Sequence, residues 1–184
     1  MKARDAVIKY LEREPFKRDV GHYWASEIGS IMGGYVKASD WGKPNPIIDN
    51  AEIVCEGMAK ENMLASIFQK ANVNCACGDK QNKYLLEVAE GVTITTKPDF
   101  EFPTQVWETK DPLNWCDYEV IKPSYRYQLE CEARAVPNKK VFLGYFVPKR
   151  IIPVLVEYHS DDKLWEQIKT KLINFNKQLQ KCQQ

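Results

Sequence analysis

Three short β-prone segments, 84–89, 92–97 and 104–109, follow one another with only turn residues between them. Glu90-Gly91 supplies a tight hairpin between the first two, and Phe102-Pro103 sits in the next turn. The segments therefore read as a three-stranded meander. That meander constrains the chemistry as well as the fold. Glu108 and Lys110 are two residues apart on one strand, and a strand's period of two puts both side chains on one face. The hairpin brings Asp99, at the end of the preceding strand, beside them. Two carboxylates and one ammonium thus converge at a sheet edge.

The flanking segments read as helices. Residues 2–14 form a short charged helix, and 24–33 a second one with Ser26 as its N-cap and Gly33-Gly34 at its end. A Gly-, Pro- and Asn-rich loop over 34–48 follows. Asp49, answered by Glu52, opens a long helix to about Ala71. Its apolar stripe holds Ile53, Gly57, Leu64 and Phe68, and Glu61 falls on that stripe. A carboxylate on a core-facing stripe is costly unless it is paired or binds a metal, and Gly57 would let the helix sit close to its neighbour.

Beyond a loop over 111–121, Pro123 starts a helix to 136. Strands at 141–147 and 152–158 follow, Pro153 marking the second as an edge strand or a bulge. Leu164, Ile168, Leu172, Phe175 and Leu179 line one face of a last helix. The order is helix, three strands, helix, strand, strand, helix: an α/β fold whose mixed central sheet is flanked by helices. A chain of 184 residues makes one domain. Residues 1–48 form an N-terminal helical extension, 49–158 the core and 159–184 a C-terminal helix.

Composition narrows the classes. Lys plus Arg is 26 and Asp plus Glu is 25, so a globally basic nucleic-acid coat is excluded while a local basic groove is not. No apolar run approaches the length that spans a bilayer, so no membrane partner is expected. Met1-Lys2-Ala3-Arg4-Asp5 runs straight into charge, which predicts no secretory leader and a cytoplasmic location, the host cytoplasm if the protein is viral. Six cysteines without a C-x-x-C pair then read as free thiols. Cys75-Ala76-Cys77 allows metal binding with Cys55 or Cys116, but packing is the expected role. His22 reads as a loop residue and His159 as solvent-facing.

Two carboxylates with no neutralising Arg ask for a hard divalent cation, Mg²⁺ or Mn²⁺. Such an ion can hold a phosphate oxygen and acidify a water. Lys110 would orient that water and offset charge on the phosphate. This is equipment for hydrolysing a phosphodiester. Lys139-Lys140, Lys149-Arg150 and Arg126 are candidate phosphate contacts.

Pro98-Asp99, followed by Glu108-Thr109-Lys110, resembles the PD-(D/E)xK nuclease signature, and the element order resembles that superfamily's restriction-endonuclease-like core. Gly57-x-x-x-Glu61, Tyr125-x-x-Gln128-Leu129 and Ser26-x-Ile28-x-x-Ile31-x-Gly33 are similar to motifs of its RecB-like and phage-type alkaline exonuclease branch. The resemblance implies that Asp99, Glu108 and the Thr109 carbonyl ligate the metal and that Glu61 extends the site. It implies that Lys110 positions the attacking water, that Gln128 orients the site, and that Tyr125 packs near the DNA backbone. Ser26, Arg126 and Lys149 would join Tyr125 in holding DNA, single- or double-stranded.

Two departures stand out. The Q motif often continues with Tyr four residues after the Gln, and here that residue is Glu132; the Glu61 position is His in many RecB-like members. CRISPR-associated members carry a four-cysteine iron–sulfur cluster, with three cysteines near the C-terminus. Only Cys182 is C-terminal here, so no cluster is expected. The expected function is a Mg²⁺- or Mn²⁺-dependent DNA exonuclease, suited by size to a virus or mobile element, working in DNA replication, recombination or repair. Rings are common among phage-type exonucleases, so a homo-oligomer is allowed. An iron–sulfur CRISPR-type exonuclease and a non-cleaving nucleic-acid-binding or interaction protein are the alternative readings.

Overall fold

The structure is a computed structural model that describes residues 20–41, 51–112 and 116–182, with backbone alone for 51–54. The expected helix over 2–14, the Asp49 helix start and the Glu52 side chain answering it lie outside the described residues. The elements are β1 His22–Trp24, α1 Ala25–Met32, α2 Ala51–Lys70, β2 Ala76–Cys77, β3 Tyr84–Ala89 and β4 Val92–Thr96. They continue with β5 Phe100–Glu101, β6 Gln105–Lys110, α3 Pro123–Ala135, β7 Lys140–Tyr145, β8 Val154–Tyr158 and α4 Asp162–Cys182. The expected succession holds, with three short strands added: β1, β2 and β5. Pieces of two or three residues are too short for an alternating pattern to show in sequence.

The expected three-stranded meander in one central sheet does not form: the strands make two mixed sheets, ordered β1-β4-β3 and β2-β5-β6-β7-β8, and β6 pairs with the short strand β5 instead of β4. Glu90-Gly91 turns β3 into antiparallel β4 as expected, with Gly91 at φ 69°. That backbone angle is open to glycine at little cost. β6 and β7 are parallel. Parallel neighbours need a crossover, and α3 supplies it. β8 is the edge strand, and Pro153 lies just ahead of it.

Three apolar clusters hold these layers. Leu129 of α3 packs with Val106, Val141, Leu143 and Tyr145 on one face of the larger sheet. Leu64 and Phe68 of α2 pack with Phe100 and Trp107 on the other. Tyr23, Ile28 and Ile94 meet Ile168, Leu172, Phe175 and Leu179 of α4, so the stripe read from the sequence is the one that is buried. Among the described residues no helix is long and apolar enough to cross a membrane.

Some local expectations are corrected. His22 lies in β1, not in a loop, with Nε2 2.7 Å from Thr95 Oγ1. Ser26 does not cap α1. β1 runs directly into the helix, so Trp24 is the last extended residue, and the Glu27 carboxylate accepts its backbone N–H at 3.0 Å. Ser26 is already helical and exposed. Lys139 and Lys140 are engaged by the protein's own acids: Lys139 Nζ is 2.6 Å from Glu101, and Lys140 Nζ is 3.1 Å from Glu157. All six cysteines are free thiols.

Candidate active site

The site is built on β6, which is buried on both faces. Alternation sends Val106, Glu108 and Lys110 toward α3, and Trp107, Thr109 and Asp111 toward α2. Asp99 does not end β4. It precedes the short strand β5, which pairs Phe100 with Trp107 and so carries Asp99 to the end of β6.

On the α2 side, Asp99 Oδ2 accepts the Thr109 backbone N–H and the Thr109 hydroxyl, each at 2.7 Å. Glu61 Oε1 lies 3.2 Å from the same hydroxyl. One hydroxyl carries one proton, so the shorter contact to Asp99 takes it. Glu61 is aimed by its neighbour: Lys60 Nζ bonds both Asp111 oxygens, at 2.8 and 2.7 Å, and clamps α2 onto the end of β6. A Cβ at Gly57 would stand 3.8 Å from Asp111 Cβ, an ordinary contact, so this approach does not require glycine there.

On the α3 side, Lys110 Nζ lies 2.5 Å from Glu108 Oε1 and 5.9 Å from the centre of the Tyr125 ring. Tyr125, Gln128 and Glu132 follow at helical spacings of three and four and share one face of α3. Gln128 Nε2 donates to Glu132 Oε1 at 3.2 Å. Glu132 is fully buried against Glu108, and its Oε2 has no hydrogen-bond partner.

Four carboxyl groups thus surround one ammonium. Burial, then the charges of Glu108 and Glu61, hold Asp99 well above the ordinary carboxylate range. Burial and Glu108 push Glu61 up as well, and hold Glu132 well above its usual value. Burial works against the charge on Lys110, but Glu108 and Asp99 more than offset it and raise its pKa. Among the described residues no three such side chains stand close enough to hold an ion by themselves. Lys110 occupies one oxygen of Glu108, and Thr109 one oxygen of Asp99. The donor set nevertheless fits a hard divalent cation: it is all oxygen, and its repulsion is unmet by one lysine. A cleft of about 440 Å³ opens beside Glu61 and Asp99, walled also by Asn62, Asp79, Gln81 and Lys97.

Asp99, Glu108, Thr109, Lys110, Glu61, Gln128 and Tyr125 are therefore gathered at one end of β6. Ser26, Arg126 and Lys149 are not joined to them. Ser26 and Lys149 are exposed, Lys149 in a left-handed turn at φ 65°, and Arg126 pairs with Asp161 at 3.2 Å. Sequence reading noticed Glu132 only as a departure from a motif. Its signal was there: a carboxylate one turn after Gln128, on the same face.

No protein-family model and no curated protein sequence matches the chain. The fold is a mixed α/β, restriction-endonuclease-like one. Solved structures similar to it at low identity include the following. The crystal structure of SSO0001 matches over 93% of this chain and 83% of that one, with a TM-score of 0.64 and 16% identity. The alkaline exonuclease LHK-Exo from Laribacter hongkongensis matches over 88% and 89%, with a TM-score of 0.54 and 15% identity. Its complex with dAMP matches at the same TM-score of 0.54.

Proposed function

We propose that this chain is a metal-dependent deoxyribonuclease, acting from DNA ends as an exonuclease, with its whole length working as one nuclease domain. The observation that carries the reading is the convergence of Asp99, Glu108 and Lys110 at the end of one β-hairpin, with Glu61 facing them from α2. The likeness to an alkaline exonuclease, seen also with dAMP, supports DNA as substrate and an exonuclease mode.

Asp99 and Glu108 would hold Mg²⁺ or Mn²⁺, with Glu61 and the Thr109 carbonyl available to complete the set. The bound ion supplies acidity to a water and positive charge beside the phosphate. The chain's own residues do the rest. Lys110 holds the attacking water and stands beside the charge that builds on phosphate oxygens. Attack forms a phosphorus–oxygen bond to water and breaks the one to the sugar oxygen, leaving a phosphate monoester and a hydroxyl. Thr109 keeps Asp99 in one orientation, and Gln128 orients the α3 side. Tyr125, beside Lys110, would pack near the DNA backbone, and the exposed Ser26, Arg126 and Lys149 would hold it further from the site.

The test is one cleavage assay. Linear single-stranded, linear double-stranded and closed circular DNA are incubated with Mg²⁺ or Mn²⁺, beside Glu108→Ala and an EDTA control. Loss of linear DNA that needs metal and Glu108, with circles spared, is the expected result. Cutting of circles makes the protein an endonuclease on the same site. Intact DNA in every lane overturns the reading.

A further inference from the structure

The Glu132 oxygen that receives no donor points to a role the nuclease reading leaves unfilled. A buried carboxyl oxygen without a hydrogen bond is expensive, and such atoms call for a specific explanation. Two residues earlier, Glu130 shows the ordinary arrangement. It is equally buried, but its oxygens receive Arg134 Nε at 2.7 Å, the Tyr158 hydroxyl at 2.6 Å and the Asp161 backbone N–H at 2.8 Å. Glu132 has Gln128 on one oxygen, while its Oε2 receives no donor and the carboxyl lies against that of Glu108.

Lys110 supplies the need. Its acceptor in this structure is Glu108, a residue also proposed to face the cation. When Glu108 turns to an ion, the ammonium must find another anchor or leave the face. Asp99 is itself a proposed ligand and already holds two hydrogen bonds from Thr109. Glu61 lies on the α2 side. Tyr125 offers a ring face but no negative charge. Glu132 lies against the same Glu108 carboxyl that holds Lys110, and Gln128 holds it in place. We propose that Glu132 is a positioning residue: it anchors the Lys110 ammonium at the site when Glu108 engages the metal. The inference rests on the nuclease reading.

The test compares Glu132→Gln, Lys110→Met and the double variant in the full chain. Glu132→Gln should lower kcat about ten-fold, the size of one charge-assisted hydrogen bond. KM for DNA and the Mn²⁺ affinity of the metal-free protein, read by calorimetry, should stay within about two-fold, because neither contact is removed. In the Lys110→Met background the same substitution should be silent, since a residue that acts through Lys110 has nothing left to position. In protein loaded with Ca²⁺, an amine-acetylating reagent should modify Lys110 severalfold faster in Glu132→Gln, read by mass spectrometry. Unchanged kcat with unchanged Lys110 labelling overturns the proposal. So does an equal loss in the Lys110→Met background, or a collapse of Mn²⁺ affinity, which would make Glu132 a ligand. If the wild-type protein cleaves no DNA, the nuclease reading fails by itself, and the labelling rates still decide the role of Glu132.

Discussion

Thr109 gives both its backbone N–H and its hydroxyl to a single oxygen of Asp99, each at 2.7 Å. The pair locks a loop carboxylate to the strand that carries Glu108 and Lys110. Replacing the hydroxyl by a methyl keeps the volume and removes the donor. Thr109→Val should therefore cost about 1–3 kcal/mol of stability, the usual range for an unsatisfied buried group or a lost bond to a charged one. Thr109→Ser should keep most of it. Denaturant unfolding of the two variants separates these outcomes.

Lys110 and Glu108 are bound to each other at 2.5 Å, so removing either disturbs the other. Glu108→Ala and Lys110→Ala should each reduce DNA cleavage at least about a hundred-fold, the scale on which one electrostatic or acid–base group is felt. Circular dichroism should remain native. Gel-shift binding of DNA by Glu108→Ala should persist, because the substitution removes negative charge from the face that DNA approaches.

Metal and pH should act together on stability. Glu61, Asp99 and Glu132 are all held above their ordinary values, first by burial. Such an acid binds its proton more tightly when folded than when unfolded. Its stabilising contribution is full below the unfolded value and is lost as pH rises through the folded one. The metal-free protein should thus show a component of melting temperature that falls as pH rises above the ordinary carboxylate range. Glu132→Gln should flatten that slope. Added Mn²⁺ should raise the melting temperature more at pH 8 than at pH 5.5, since it meets charge that exists only at the higher pH. Equal shifts at both pH values would count against these carboxylates as the binding set.

Glu130 and Glu132 should part company under mutation. Glu130 is held by Arg134, Tyr158 and the start of α4, so Glu130→Ala leaves two donors unmet and takes from Arg134 one of its two carboxylate partners, Asp162 remaining. A loss of about 1–3 kcal/mol is expected. Glu132→Gln should leave the melting temperature at pH 8 unchanged or higher. Thermal melts of the two proteins at that pH read the difference directly.

Gly144 sets the spacing behind the site. It pairs with Thr109 across β6 and β7, and an added Cβ would stand 3.2 Å from both Thr109 Cγ2 and Pro153 Cβ. Gly144→Ala should destabilise by about 1–3 kcal/mol through overpacking. It should also lower cleavage, because the displaced Thr109 carries Asp99 with it. Unfolding and activity assays on this variant should move together.

Much of the site was legible in sequence because it is local. Strand alternation alone sets Glu108 and Lys110 on one face of β6; Asp99 reaches them through the short strand β5, which is too short to show a pattern in the sequence. The Tyr125–Gln128 spacing and the apolar faces of α2 and α4 are likewise set by helical periodicity. The misses have physical causes. Ser26 looked like a cap because caps are chosen by side-chain chemistry, whereas the boundary was decided by β1 pairing with β4. Lys139 and Lys140 looked free because their partners, Glu101 and Glu157, are distant in sequence.

What the sequence determined by itself is the order of the longer elements, the facing of residues along each, and the strand that carries Glu108 and Lys110 on one face. These follow from backbone periods and turn chemistry, which act over a few residues. Only the tertiary structure decided that α2 and α3 close on opposite faces of β6. That closure brings Glu61 to Thr109 and buries Glu132 against Glu108. A carboxylate's cost and use depend on what long-range packing sets beside it. No local pattern records that Glu130 finds three donors while Glu132, half a turn away, receives only Gln128 and lies against Glu108.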